Sequence, residues 1–157
     1  MFRAWLVLLT AIFSPAVVAQ LDDRFADFIR AEDPEVLGYW YSHDDACPWE
    51  KGEVTNLIEG IIKRSRIKPE PALGLTNGFY LNIDLACLEA SIRARSIGYM
   101  FEASVMYGDY PMLYEREYGA LQVFPNDNPE YGFNNLRSYI EDAVTDFIEV
   151  NFLSSED

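Results

Sequence analysis

Three stretches of the chain repeat hydrophobic residues at the three-and-four spacing that is typical of an amphipathic helix. They cover residues 21 to about 34, about 50 to 67, and the C-terminal region after residue 133. The last stretch has the longest apolar stripe, formed by Leu136, Ile140, Ala143, Val144, Phe147 and Ile148. Asn134 or Asn135 is its predicted N-cap, since asparagine is favoured at that position.

Four other stretches have the composition or the two-residue alternation of strands: 36–41, 79–88, 97–107 and 118–124. In the second, Leu81, Ile83, Leu85 and Cys87 share one face, and in the third, Tyr99, Phe101, Ala103, Val105 and Tyr107 do so. Two prolines, Pro69 and Pro71, and the turn pair Asn77 and Gly78 predict a linker over residues 68–78.

The order helix, strand, helix, strand, strand, strand, helix predicts an α+β domain. We expect a two-layer sandwich in which three helices cover one face of an about four-stranded, mostly antiparallel sheet. The strand–helix–strand step over residues 36–88 is long enough for a crossover, which would make its two strands parallel. The domain is predicted to span 20–157, with a frayed tail at 154–157.

The N-terminus resembles an export signal. Arg3 precedes an apolar stretch over residues 4–13, and Val17 and Ala19 fit the small-x-small rule for cleavage before Gln20. A retained membrane anchor is the alternative, but about ten apolar residues fall short of the roughly 20 that span a bilayer. We therefore expect residues 1–19 to be removed, and a periplasmic or secreted location.

The charge is strongly acidic. The chain has 26 Asp and Glu against 12 Lys and Arg, a net charge of −14, and loss of Arg3 with residues 1–19 gives −15. Such a surface repels nucleic acid and anionic lipid head groups and attracts a basic protein or peptide. The simpler interpretation is that the charge maintains solubility.

Two cysteines, Cys47 and Cys87, are predicted to form a disulfide, because the chain is expected to be exported and parallel strands would bring both to one edge. On the chain-entropy model, such a loop stabilises the fold by roughly 3 to 4 kcal/mol. A redox pair is the alternative, but no Cys-x-x-Cys motif is present.

A metal site would have to use His43, which precedes Asp44, Asp45 and Cys47. Zinc needs three or four protein ligands, and here the sulfur is expected in a disulfide, so an exposed loop histidine is the competing interpretation. Residues 126–130 are rich in oxygen ligands but lack the EF-hand register, which favours a plain turn over a calcium site. Residues 74–78 lack the spacing and lysine of a phosphate-binding loop, so no cofactor is predicted.

Catalysis by a serine triad is not supported, because Ser42, His43 and Asp44 are consecutive and cannot converge. Hydrolysis by two carboxylates remains an alternative, with Asp84 and Glu102 as candidates on the polar faces of neighbouring strands. Their simpler role is that of solvated surface residues.

Aromatic residues are dense after residue 98. Tyr107, Tyr110, Tyr114 and Tyr118 are candidates for a contact surface, since tyrosine supplies adaptable contact area at a low entropy cost. Capping the end of the sheet is the alternative role for these residues. We expect an exported, non-catalytic binding or accessory protein that engages a basic partner; a small hydrolase and a structural envelope component are the alternatives.

Overall fold

The fold was analysed in a computed structural model, which describes residues 23–72, 79–92, 95–109, 112–125 and 128–153. The predicted signal sequence, the turn at residues 77–78 and the tail at 154–157 lie outside these ranges. The helices are α1 (Asp23–Phe28), α2 (Lys51–Arg64) and α3 (Pro129–Ile148). The strands are β1 (Val36–His43), β2 (Lys68–Pro71), β3 (Phe79–Ile92), β4 (Arg95–Asp109), β5 (Met112–Glu117) and β6 (Ala120–Pro125).

The six strands form one mixed sheet in the order β2-β1-β3-β4-β5, and β6 also pairs with β4. β1 runs parallel to both β2 and β3, whereas β4 is antiparallel to β3, β5 and β6. β5 and β6 follow each other along one side of β4, so the six strands occupy five positions. The α+β class and the parallel β1–β3 pair are confirmed. The sheet has six strands and not about four, and three of its five strand pairings are antiparallel.

The two strands that the sequence analysis missed lie in segments with strong loop signals. The predicted linker at 68–78 contains β2, where Pro69 and Pro71 are tolerated because this strand lies at the edge of the sheet. The segment before residue 118, taken as a turn and loop, contains β5. Both strands are short, and neither shows the apolar alternation on which the prediction depended.

The helix ends differ from the expected ones for local reasons. α2 ends at Arg64 because Arg66 adopts a left-handed conformation, with a φ of 64°. The amide of Ile67 then donates to the carbonyl of Ile62, which closes the helix and turns the chain into β2. α3 begins at Pro129, about two turns earlier than predicted, with Asn128 as N-cap. The predicted N-caps at Asn134 and Asn135 are therefore wrong, since proline is itself well suited to the first turn.

The three helices pack against one face of the sheet, and the buried residues form one cluster between them. The predicted core faces of the two long strands are confirmed, with Leu81, Ile83, Leu85, Phe101, Ala103, Val105 and Tyr107 at most 1% exposed. At the centre, the Tyr107 hydroxyl donates to the carbonyl of Ala143, 2.6 Å away, so its polar atom is satisfied inside the core.

The predicted disulfide between Cys47 and Cys87 is present, with a Cα–Cα distance of 5.0 Å. It joins the segment between β1 and α2 to β3. A second attachment ties α1 to the end of the chain: the Asn151 side chain donates to the carbonyls of Ile29 and Phe147, and accepts from the amide of Ala31. Asn151 belongs to a π-helical turn, Glu149–Leu153, that extends α3.

Candidate functional site: the open face of the sheet

One face of the sheet is not covered by the helices, and we call it the open face. Side chains alternate along each strand, so the residues between the buried ones point away from the core. The described open-face side chains include Trp40, Ser42, Asn82, Asp84, Ala86, Leu88, Met100, Glu102, Ser104, Met106, Leu121 and Val123. These side chains do not pack against the helices, so this surface is the candidate functional site.

Four apolar side chains concentrate at one end of the open face. Leu88 pairs with Met100, and Met100 pairs with Val123, so these three form a continuous row across β3, β4 and β6. Leu121 lies beside the row on β6. Leu88, Leu121 and Val123 are 60%, 62% and 71% exposed, and together with Met100 they form what we call the apolar patch. Contiguous exposed apolar side chains of this kind mark interaction surfaces more often than isolated ones do.

The two candidate carboxylates lie beside this patch. Asp84 pairs with Ser104 and Glu102 pairs with Ala86, so the two acids are diagonal neighbours on adjacent strands. Diagonal neighbours are about 7–8 Å apart, close enough for both acids to act on one bound group. Asp84 also accepts a hydrogen bond from the Ser42 hydroxyl on β1. The structure thus places both predicted acids together, exposed to solvent and next to apolar side chains.

The open face is negatively charged. Its described side chains include Asp84, Glu102 and Glu70 against one cation, Lys68, which lies at the β2 edge and pairs with Glu70. The other ion pairs between described residues lie on the helices: Lys63 with Glu59, and Arg64 with Glu141. An apolar patch beside unpaired acids fits a ligand that carries both apolar and cationic groups.

Two of the four tyrosines predicted to form a contact surface, Tyr107 and Tyr118, are used in packing. Tyr107 is completely buried, and the half-buried Tyr118 packs against Phe25 and donates its hydroxyl to Asp146, 2.7 Å away. Both side chains therefore belong to the interface between the sheet and the helices, and Tyr107 cannot contribute to a contact surface. Tyr114 lies in β5, and Tyr110 lies outside the described residues.

His43 is placed at the end of β1, where its Nδ1 lies 2.6 Å from the Tyr41 hydroxyl. Burial raises the pKa of Tyr41 well above its ordinary value, so this hydroxyl stays protonated near neutral pH. The Cys47 sulfur is committed to the disulfide and is not available as a ligand. Within the described ranges, no group of three or more His, Cys, Asp or Glu side chains is arranged to hold a metal ion. The candidate calcium segment at 126–130 lies partly outside them.

Sequence analysis did not identify Leu121 and Val123 as surface residues of interest. The segment containing them carries apolar side chains on both faces, because Phe124 is buried on the helix side. The sequence signal for an exposed apolar surface was a strand with apolar residues on both faces, in a sheet that helices cover on only one face. Without knowledge of which face the helices cover, it could not be separated from a strand buried on both sides.

No family model matches the chain, and no curated protein was found that matches it. Among the described residues, no helix combines the length and the apolar composition needed to cross a membrane. Any functional conclusion for this protein therefore depends on the open face itself.

Proposed function

We propose that the protein is an exported, non-catalytic binding or accessory protein whose open face engages a basic partner protein. The observation that carries this proposal is the adjacency of the apolar patch to Asp84 and Glu102, neither of which forms an ion pair with a described lysine or arginine. Apolar contact would supply affinity, while the carboxylates would select a cationic partner and speed its approach.

The disulfide supports the exported location. Disulfides persist in oxidising compartments such as the periplasm or the extracellular space, and Cys47 and Cys87 are paired. The net charge of −14 supports the same type of partner, because it attracts basic proteins over a distance of about 10 Å at moderate salt. Nucleic acid and anionic membranes are repelled by the same charge.

The test is affinity capture from an envelope extract with the oxidised protein and two charge-reversal variants. The first variant, Asp84→Lys with Glu102→Lys, reverses the open face. The second, Asp142→Lys with Glu149→Lys, makes the same change in net charge at exposed positions on the helix side. We expect a partner that binds the parent protein and the helix-side variant, that is lost with the open-face variant, and that weakens at about 0.5 M salt. Equal capture by both variants would contradict a role for the open face.

Hydrolysis by the acid pair is the second candidate, favoured by the diagonal placement of Asp84 and Glu102. Diagonal residues on adjacent strands are about 7–8 Å apart, and inverting glycosidases hold their two carboxyl groups roughly 6.5–9.5 Å apart, a separation that side chains at these positions can reach. This candidate predicts that Glu102→Gln abolishes turnover of a glycan while leaving the fold intact. A partner captured equally by Glu102→Gln and the parent protein, with no turnover by either, would exclude it.

A further inference from the structure

The two edges of the sheet differ in whether they can accept another strand. At the β2 edge, the amides of Lys68 and Ala72 donate to the carbonyls of Glu35 and Tyr39. Alternate residues of a strand point their backbone groups in opposite directions, so Pro69 and Pro71 face away from the sheet. Proline has no N–H, and this edge therefore presents no donor to an incoming strand at those positions.

The β6 edge has the opposite character. The amide of Tyr118 donates to the carbonyl of Val105, 2.9 Å away, just before β6 begins. In an antiparallel pair, hydrogen-bonded and non-hydrogen-bonded positions alternate, so Ala120, Gln122 and Phe124 bond to β4. Leu121 and Val123 occupy the alternate positions, and their N–H and C=O groups point outwards.

The end of β6 follows the same alternation of inward and outward backbone groups. The carbonyl of Pro125, two residues after Val123, accepts from the amide of Asn128. Among the described residues, β6 has no strand partner other than β4. The outward backbone groups of Leu121 and Val123 thus lie on a free edge, and the same two residues carry the most exposed apolar side chains of the patch.

We infer that β6 accepts an extended segment of a basic protein as an additional strand. This inference rests on the proposed function and names its mode of binding. Main-chain hydrogen bonds to Leu121 and Val123 would supply affinity, and apolar side chains of the added strand would extend the apolar patch.

The negative charge near β6 indicates which kind of segment pairs with this strand. Glu102 lies directly opposite Leu121 on β4, so an added strand would be two strand spacings, about 10 Å, from that carboxylate. An arginine or lysine lying across Leu121 reaches much of this distance. A second copy of the chain would instead bring together two molecules of net charge −14. The added strand is therefore a cationic segment that carries apolar and basic side chains on the same face.

The probe is a capped ten-residue peptide in which valine and lysine take turns at every second position, with threonine between them, so that both lie on one face of the strand. It is added to the oxidised protein at up to about 1 mM, and amide hydrogen exchange is followed by NMR. We expect the amides of Leu121 and Val123 to exchange at least about tenfold more slowly in the complex. The amides of Gln122 and Phe124, already bonded to β4, should change little. This alternation is specific to strand addition.

Two controls separate backbone pairing from contact through side chains. The same peptide N-methylated at consecutive central residues loses donors on both of its edges and cannot form a continuous ladder, so we expect it to bind at least about tenfold more weakly to the unaltered protein. Val123→Pro removes one outward donor and should cause a similar loss. Val123→Ala keeps the N–H and removes only part of the apolar contact, so we expect a clearly smaller loss than with Val123→Pro.

Peptide binding without protection of Leu121 and Val123 would overturn strand addition and leave the open face as the docking surface of the proposed function. Failure of the peptide to bind would also overturn it, while affinity capture judges the proposed function separately. Protection of both amides in the absence of peptide, together with dimers in sedimentation, would overturn the basic partner in favour of a second copy.

Discussion

Arg66 is the one described residue other than glycine that has a positive φ, and it ends α2. A left-handed conformation costs a residue with a Cβ roughly 1–2 kcal/mol, a cost that glycine does not carry. The hydrogen bonds of Arg66 and Ile67 to the last turn of α2 keep it in place. We predict that Arg66→Gly raises the free energy of unfolding by about 0.5–1 kcal/mol, part of the relief being offset by the greater freedom of glycine in the unfolded chain.

The control is the adjacent residue. Ser65 has an ordinary φ of −80°, and its hydroxyl donates to the carbonyl of Ile61. Ser65→Gly gains no relief of strain and loses this contact, so we expect it to lower the free energy of unfolding by about 0.5–1 kcal/mol. Urea denaturation of the two variants checks the prediction, and a change of the same sign in both would contradict it.

At the scale of the element, α3 approaches the sheet closely at Gly132. A Cβ there would lie 2.7 Å from Phe124 Cε1 and 2.9 Å from Trp49 Cζ2, closer than real contacts allow. We predict that Gly132→Ala lowers the free energy of unfolding by about 1–2 kcal/mol, since overpacking costs more than the helix gains from alanine. Thermal denaturation is the measurement.

Gly60 in α2 is the matched control, because a Cβ there meets only the end of Arg64, at 3.6 Å. The same substitution, Gly60→Ala, should raise the free energy of unfolding by about 0.5–1 kcal/mol through helix propensity alone. Stabilisation by both substitutions would show that α3 can move away from the aromatic side chains without cost.

The elements that could be predicted from the sequence are those whose periodicity reports burial on one side. β3 and β4 alternate strictly, and α2 keeps one apolar face, so their existence and buried faces were confirmed. β2 could not be predicted in this way, because its sequence carries two prolines and its place in the sheet depends on pairing with β1. Such pairing is a tertiary effect that local propensity does not contain.

The candidate site was only partly predictable for the same reason. Alternation along β3 and β4 was sufficient to put Asp84 and Glu102 on polar faces of neighbouring strands. Their diagonal position depends on the register between the strands, which the turn and the bulge near Ala90 determine. Tyr107 and Tyr118 were predicted to belong to a contact surface, but their rings pack between the sheet and the helices. Their hydroxyls donate hydrogen bonds to residues of α3.

For the whole molecule, this burial of tyrosine has a consequence at high pH. Burial, followed by the hydrogen bond to Glu59, raises the pKa of Tyr39 to about 12, and burial also raises the pKa of Tyr41 and Tyr107 well above its ordinary value. Unfolded tyrosine loses its proton near pH 10. Above that pH the unfolded state releases protons that the folded state retains, so stability that is fully present below pH 10 is lost as the pH rises towards 12.

We therefore predict that the free energy of unfolding, measured in urea, is nearly constant from pH 8 to about 9.5 and then falls steadily. Tyr39→Phe tests the origin of the fall. It should cost about 0.5–1.5 kcal/mol at pH 8, because the hydrogen bond to Glu59 is lost, and should make the slope above pH 10 shallower. Tyr131→Phe is the control, since Tyr131 is half exposed and should leave the slope unchanged. A slope that is the same in all three proteins would show that groups other than Tyr39 govern the alkaline transition.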